Sequence, residues 1–346
     1  MTALRVVDSG LQRPTWHLAT SAALAERHRR GLSPDTLRFQ SFPPCALLGR
    51  HQVLAREVDE AWCAAHGVAM ARRVTGGGAI VMGPGILGWE LLLPATAFPG
   101  GIEAVAASLC GAVATALRGF GVDARFRPRN DVEVDGRKLC GTGGLFDGPT
   151  LLYQGTVLVR LDRALLAGAL RWAGDKDGVR PAEARVADLE GVLGQPVPLP
   201  AVKTALAAAI GAALGRAVAP GTLDEAEMRE AAALEVEEIG TAAFIRGEDP
   251  PQGPHVLARA RRTPGGTVEV TVRLRAEGVI ERALVRGDVV ATPARALPDL
   301  EAALRDVPLR DAPAIAASHL AGARLLGGQM EDIVALLHEL ALEGRP

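Results

Sequence analysis

Two arginines run into a threonine and three consecutive glycines in Ala71-Arg72-Arg73-Val74-Thr75-Gly76-Gly77-Gly78-Ala79. The guanidinium groups of Arg72 and Arg73 offer fixed positive charge and forked donors that suit a carboxylate or a phosphate. Glycines in a row leave backbone N–H groups bare, with room for a ligand to lie against the chain, at an entropic cost that makes them poor filler. Taken alone, the stretch reads equally as a tight turn between strands with surface arginines beside it. It is not a P-loop, because no Gly-Lys-Ser/Thr follows, and it lacks the spaced, helix-opening glycines of a dinucleotide fingerprint. A second chemically loaded stretch is Arg129-Asn130-Asp131-Val132-Glu133-Val134-Asp135-Gly136-Arg137-Lys138-Leu139-Cys140-Gly141-Thr142. Alternation at Val132 and Val134, followed by Gly136, predicts a hairpin whose returning strand carries Arg137, Lys138 and Cys140.

The elements that must hold these stretches follow from periodicity. Strands are expected at Leu4–Val7, Thr36–Phe42, Cys45–Leu48, Val68–Val74, Ile86–Leu93 and Leu151–Leu161. Val105, Leu109, Val113 and Leu117 recur every four residues and predict a helix over Gly101–Phe120; Val202, Leu206, Ile210 and Leu214 predict another. Further helices are expected over His17–His28, Glu57–His66 and the acidic segment Leu223–Ala242, while Ala173–Leu189 begins polar and irregular. Strands that come in pairs as often as they alternate with helices imply an α+β (mixed α/β) domain with a mixed sheet, not a doubly wound one. Glu248–Pro254 has linker composition; beyond it, Val268, Val270, Val272 and Leu274 alternate as a half-buried strand, paired with Val279–Val285. The organisation expected is a catalytic domain over 1–220, a helical linker over 221–250 and a small α+β domain over 251–346.

A chain of 346 residues is long enough for a sizeable core. Its 38 basic and 40 acidic residues argue against a nucleic-acid partner bound by bulk charge, though not against a local basic site. Cys45, Cys63, Cys110 and Cys140 are scattered without metal-ligand spacing, so zinc is not expected and a reduced, cytoplasmic chain is. No run of about 18 apolar residues is present, so no membrane association is expected.

Several motifs in order carry a resemblance. They are Val6-Val7-Asp8-Ser9-Gly10, Pro34–Phe39, Leu48-Gly49-Arg50-His51-Gln52, Arg72–Ala79, Asn130-Asp131-Val132, Gly136–Gly141, Gln154-Gly155-Thr156 and Ala184–Leu189. Together they resemble the lipoate–protein ligases, within the superfamily of biotin and lipoyl protein ligases, over most of residues 5–215; the C-terminal part is similar to that family's accessory domain. The resemblance implies a class II synthetase-like catalytic domain with a mixed sheet and flanking helices. It also implies an ATP-dependent, Mg²⁺-assisted reaction in which lipoate (or octanoate) becomes an acyl-adenylate, then an amide on a lysine of a lipoyl-acceptor domain. Lys138 matches the motif lysine that contacts the acyl carbonyl and the α-phosphate. Arg72, Arg73, Thr75, Gly76, Gly77, Gly78 and Ala79 match the acyl-adenylate loop. Asn130, Asp131, Gly141, Gln154, Gly155 and Thr156 match further substrate-binding positions, with Asp131 the candidate for magnesium.

The departures are specific. Met82-Gly83 stand where the family usually carries His-Asp, Gln154 stands where it carries His, and His17-Leu18-Ala19-Thr20-Ser21 replaces an Asn-Met-Ala-Leu-Asp-like run. Two alternatives stay open, the first because Arg56-Glu57-Val58-Asp59 with Cys63 is similar to the octanoyltransferase branch and the second because of Met82, Gly83 and Gln154. One is an octanoyltransferase that works through a cysteine thioester without ATP; its nucleophile is expected between Gly121 and Asp131, where this chain has no cysteine. The other is a non-catalytic homologue that binds lipoyl groups or an acceptor domain.

Overall fold

A strand covered on one face alternates apolar and polar residues, whereas one covered on both does not. Ile86–Leu93 is buried at every position, and in the computed structural model it lies inside an eight-stranded mixed sheet with helices on both sides. The structure describes residues 3–171, 182–263, 266–325 and 328–343, so the first part of the irregular stretch expected after Ala173 lies outside it.

The chain forms two compact units, the first comprising residues 1–47, 57–72 and 80–245. Its strands are β1 (Leu4–Leu11), β2 (Thr36–Ser41), β3 (Cys45–Leu48), β4 (Ala69–Arg72), β5 (Ile80–Met82), β6 (Ile86–Pro94), β7 (Arg125–Arg127), β8 (Asp131–Val134), β9 (Arg137–Asp147), β10 (Thr150–Leu158) and β11 (Val218–Gly221). The large sheet runs β11-β1-β2-β6-β10-β9-β8-β7, parallel among the first three and antiparallel from β2 onward. β4, β3 and β5 form a separate small sheet.

Helices α1 (Pro14–Arg29), α2 (Gly101–Arg118) and α3 (Leu199–Ala213) cover the large sheet, and α4 (Glu225–Leu234) packs outside on α1. The apolar stripe of α2 packs with α3 against Leu37, Phe39, Leu87, Trp89, Leu91, Tyr153 and Val157, which is the main core. Among the described residues, α2 alone is long and apolar enough to cross a bilayer by length and composition, and half of it is buried in this core. The opposite face of the sheet lies under α1, where Leu24 meets Leu92 and Leu152. The acidic segment read as a linker is instead part of this unit: α4 packs on α1, and its Glu227 takes a two-pronged contact from Arg5 at 2.7 and 2.9 Å.

The second unit comprises residues 48–56, 73–79 and 246–346. Strands β12 (Val256–Thr263), β13 (Gly266–Leu274) and β14 (Ile280–Gly287) form an antiparallel sheet. Val268, Val270 and Val272 point into a core completed by α5 (Ala296–Ala303), α6 (Ala312–His319) and α7 (Met330–Glu343).

Candidate active site

The β8–β9 hairpin closes on Asp135 and Gly136, both at positive φ (50° and 71°), the geometry that an Asp-Gly pair favours in a two-residue turn. From there Val134 pairs with Arg137 and Glu133 with Lys138, but Val132 pairs with Cys140. Leu139 is therefore an extra residue, a β-bulge. Its effect is chemical. Strict alternation would put Lys138 on the same face as Cys140, inside the core; the bulge buries Leu139 and Cys140 together and turns Lys138 to the opposite face, alongside Asp131 and Gly141. Val186 bridges to Lys138, and Ala187 N–H donates to its carbonyl at 2.9 Å, fixing the backbone further.

Lys138 Nζ stands 2.8 Å from Asp131 Oδ1, close enough for an ion pair but off the hydrogen-bonding direction. That buried oxygen has no hydrogen-bond partner among the described residues. Arg127 holds the other oxygen, Oδ2, at 2.5 Å. Gly141 makes the arrangement possible, because a Cβ there would overlap Cε and Nζ of Lys138. Gly141→Ala is expected to displace the ammonium by about an ångström and lower acyl transfer about 10²-fold, with little change in melting temperature; steady-state kinetics beside a thermal melt checks this.

Residues directly opposite across a sheet share a face, and two rows converge on the face that carries Lys138. One row is Arg38, Glu90, Gln154 and Gly143; the other is Gln40, Gly88, Thr156, Gly141 and Asp131. Above Gly143 nothing lies within 4 Å of where a Cβ would be, so the floor is open there. Gly155 points the other way, into the core, where a Cβ would lie 2.5 Å from the Trp89 ring. Gln154-Gly155-Thr156 thus divides between the faces: Gln154 and Thr156 line the open side.

At one end of the rows lies a fully buried ion pair. Arg38 Nε donates to Glu90 Oε1 at 2.6 Å, and Ser21 and Gln154 donate to Glu90 Oε2 at 2.6 and 2.9 Å. Arg38 also donates to the His17 carbonyl and to Ser21 Oγ at 2.9 and 2.8 Å. His17 Nε2 meets the Ser41 carbonyl at 2.9 Å, which requires a proton on Nε2 and leaves Nδ1 to accept from Arg38 at 3.4 Å. Sequence reasoning missed this network; the signals were a glutamate inside the apolar run Ile86–Leu93 and an arginine inside Thr36–Ser41.

Burial first, and Arg38's charge second, lower the His17 imidazole from 6.5 to about 4. Above pH 6.5 the group is neutral in both states and contributes no pH dependence. Between pH 6.5 and 4 the unfolded chain takes up the proton first, so stability falls as the pH drops, by on the order of 3 kcal/mol in all. His17→Gln is expected to flatten that part of a stability-versus-pH curve measured by urea unfolding.

The neighbouring polar groups tie strands together. The Asn130 side-chain amide donates to the Thr142 carbonyl, and Thr142 N–H and Oγ1 donate back to the Asn130 carbonyl at 2.9 and 2.8 Å. Thr142 Oγ1 also contacts Tyr153 OH at 2.5 Å and Cys110 Sγ at 3.3 Å on the core side. All four cysteines are buried, and burial pushes every one of their thiols up. Met82 is buried and Gly83 lies beside Leu165.

The arginine–glycine stretch splits. Arg72 is buried in the first unit, and its Nε donates to the carbonyls of Phe244 and Ile245, both at 3.1 Å. Arg73 begins the loop of the second unit, where its guanidinium donates to the carbonyls of Gly76 and Gly78 at 3.1 and 2.8 Å. The Thr75 carbonyl accepts from Arg50 N–H at 2.9 Å. Gly76 is needed for packing, since a Cβ would overlap the Val289 carbonyl oxygen that also accepts from Gly77 N–H at 3.1 Å. Gly78 is exposed and Ala79 partly so. The glycine run therefore serves the second unit's own backbone packing as well as offering amides.

No group of three or more potential metal-ligating side chains occurs among the described residues. Asp131 faces Lys138 and Arg127, a donor set that does not fit a resident magnesium ion, which needs uncompensated oxygen ligands.

Residues 13–211 match the model of the lipoyl protein ligase A/B catalytic domain. The chain belongs to that family. Its members attach lipoyl or octanoyl groups to proteins, and the chain is an enzyme of this ligase and transferase family. Octanoyltransferase LipM of Symbiobacterium thermophilum is 28% identical over 67% of this chain and 94% of its own length. Lipoate–protein ligase 1 of Staphylococcus aureus is 24% identical over 75% of this chain and 77% of its own. The crystal structure of Plasmodium falciparum LipL1 in complex with lipoate superposes with a TM-score of 0.75 at 14% identity, over 98% of this chain and 99% of that one, a likeness of fold. The mixed-sheet fold expected from the sequence is the one the family uses.

Proposed function

We propose that the chain is an ATP-dependent ligase that joins lipoate or octanoate to a lysine of a lipoyl-acceptor domain. The observation that carries this reading is the placement of Lys138 on an open sheet face while every cysteine is buried and held protonated. A thioester route needs an accessible thiolate; an adenylate route needs a positioned cation and no protein nucleophile. In the first step a carboxylate oxygen of the fatty acid bonds to the α-phosphorus of ATP and pyrophosphate leaves. In the second, the acceptor amine bonds to the acyl carbon, AMP leaves with the bonding pair, and the amine's proton passes to solvent. Negative charge grows on phosphoryl and acyl oxygens in both steps, and a preorganised ammonium stabilises it.

Lys138 is assigned that charge role, Asp131 and Gly141 its placement, and Gln154 and Thr156 the floor against which the acyl group lies. By resemblance to the family, Arg73, Thr75 and Gly76–Ala79 are assigned to acyl-adenylate contacts. Magnesium enters, in this reading, on the phosphates of ATP as part of the substrate. The octanoyltransferase relative at 28% identity favours a second reading, transfer from an octanoyl carrier without ATP.

Acceptor mass distinguishes the two. With lipoate and ATP the acceptor gains one lipoyl group, and omission of ATP abolishes the gain; Cys110→Ser and Cys140→Ser leave the transfer intact. Equal modification from octanoyl carrier protein without ATP would sink the ligase assignment.

A further inference from the structure

Arg273 and Arg282 stand directly opposite each other on β13 and β14. Like charges in that relation weaken a sheet, so sheet stability does not account for the pair. Both line a cleft of about 580 Å³ in the second unit, together with Arg275, Arg305, Glu248 and Glu301. That volume lies in the range of small-molecule sites, but the lining is dominated by charged side chains.

The arginines are not held alike. Arg273 is gripped by Glu281 at 2.7 and 2.9 Å, and Arg275 by Asp306 at 2.7 Å. Arg286, adjoining the cleft, contacts Glu301 at 2.5 Å. Arg282 instead meets Glu248 at 2.8 Å, and the same Glu248 oxygen lies 3.5 Å from Arg286. The Arg305 guanidinium makes no hydrogen bond or ion pair among the described residues, although its charge acts on Glu248. Arg282 and Arg286 thus meet one carboxylate, and Arg305 lines the same cleft. The hydrogen bond from Arg282 and the charges of Arg282, Arg286 and Arg305 hold that carboxyl below its usual range against the opposing effect of burial. Glu248 is a loosely held ligand: its side chain is 57% exposed, and it sits outside any helix or strand, between Gly247 at φ 66° and Asp249-Pro250-Pro251.

We propose that Arg282, Arg286 and Arg305 form an oxyanion site for a phosphoryl or carboxylate group, and that Glu248 occupies it as a displaceable internal ligand. Guanidinium forks bind such oxygens in pairs, and a phosphoryl dianion carries more charge than the single carboxylate it replaces.

Calorimetric titration of the full chain, with inorganic phosphate and separately with a hexaglutamate peptide, tests this. Glu248→Gln should tighten binding roughly fivefold, the worth of one partly exposed ion pair. Arg282→Ala combined with Arg305→Ala should weaken binding about tenfold or more, with the melting temperature of each variant confirming its fold. Binding of phosphate with this dependence assigns a free anion, and binding of the peptide alone with this dependence assigns an acidic polypeptide. Equal affinity in wild type and Glu248→Gln, wild-type affinity in the double variant, or no binding of either probe would overturn the proposal.

Discussion

Lys138→Ala is expected to lower acyl transfer about 10²- to 10³-fold while leaving stability nearly unchanged. The two halves of that expectation have separate causes. The lysine end of its ion pair with Asp131 is partly exposed, and a pair screened by solvent at one end contributes about 1 kcal/mol. Asp131 keeps Arg127 at 2.5 Å when the lysine is removed, so no buried charge is orphaned. The rate loss arises because a positioned ammonium acts where oxygens gain charge, and water cannot replace it without reorganising. Lys138→Arg should restore little, because the planar guanidinium is broader than the ammonium that Gly141 admits. Pyrophosphate release measured beside acceptor mass checks whether the adenylation step is slowed.

The second large effect is on stability. Glu90→Ala is expected to cost about 3–5 kcal/mol and to lower the melting temperature by roughly 10 °C. Arg38 and Glu90 have no solvent exposure, and Glu90 is the only carboxylate in contact with Arg38 among the described residues. Deleting it leaves a guanidinium buried beside Ser21 and His17 with no carboxylate to balance its charge. Replacing both members at once, Arg38→Met with Glu90→Leu, should be milder than Glu90→Ala, since no charge is stranded. Thermal and urea unfolding of the single and double variants measures both. A Glu90→Ala variant within about 1 kcal/mol of wild type would show that the pair is not a buried anchor of the fold.

Much of this was legible in the sequence because local rules and tertiary demands agree. The Asp135-Gly136 turn, the four-residue repeat of Val105 to Leu117, and the alternation of Val268, Val270 and Val272 each follow from one short stretch, and each lies where its pattern requires. Lys138 was legible as a residue but its direction was not. Hairpin alternation alone sends it into the core with Cys140, and only the Leu139 bulge reverses it, a feature set by pairing register and not by composition. The Arg38–Glu90 pair was hidden for a related reason: two charges on separate strands meet because the register puts them opposite, and neither strand carries that information alone. The glycine run drew attention for its bare amides, yet Gly76 is also required by the close approach of Val289, a contact made across more than two hundred residues.

Whether acyl transfer proceeds through an adenylate stabilised by Lys138 or through a protein thioester is read on the enzyme without acceptor. The protein is incubated without acceptor, once with lipoate and ATP and once with octanoyl carrier protein, then analysed by native and denaturing mass spectrometry. The adenylate route gives a non-covalent acyl-adenylate in the first sample, lost in Lys138→Ala, and an unmodified polypeptide mass in both. An acyl adduct that survives denaturation and maps to a cysteine would contradict it.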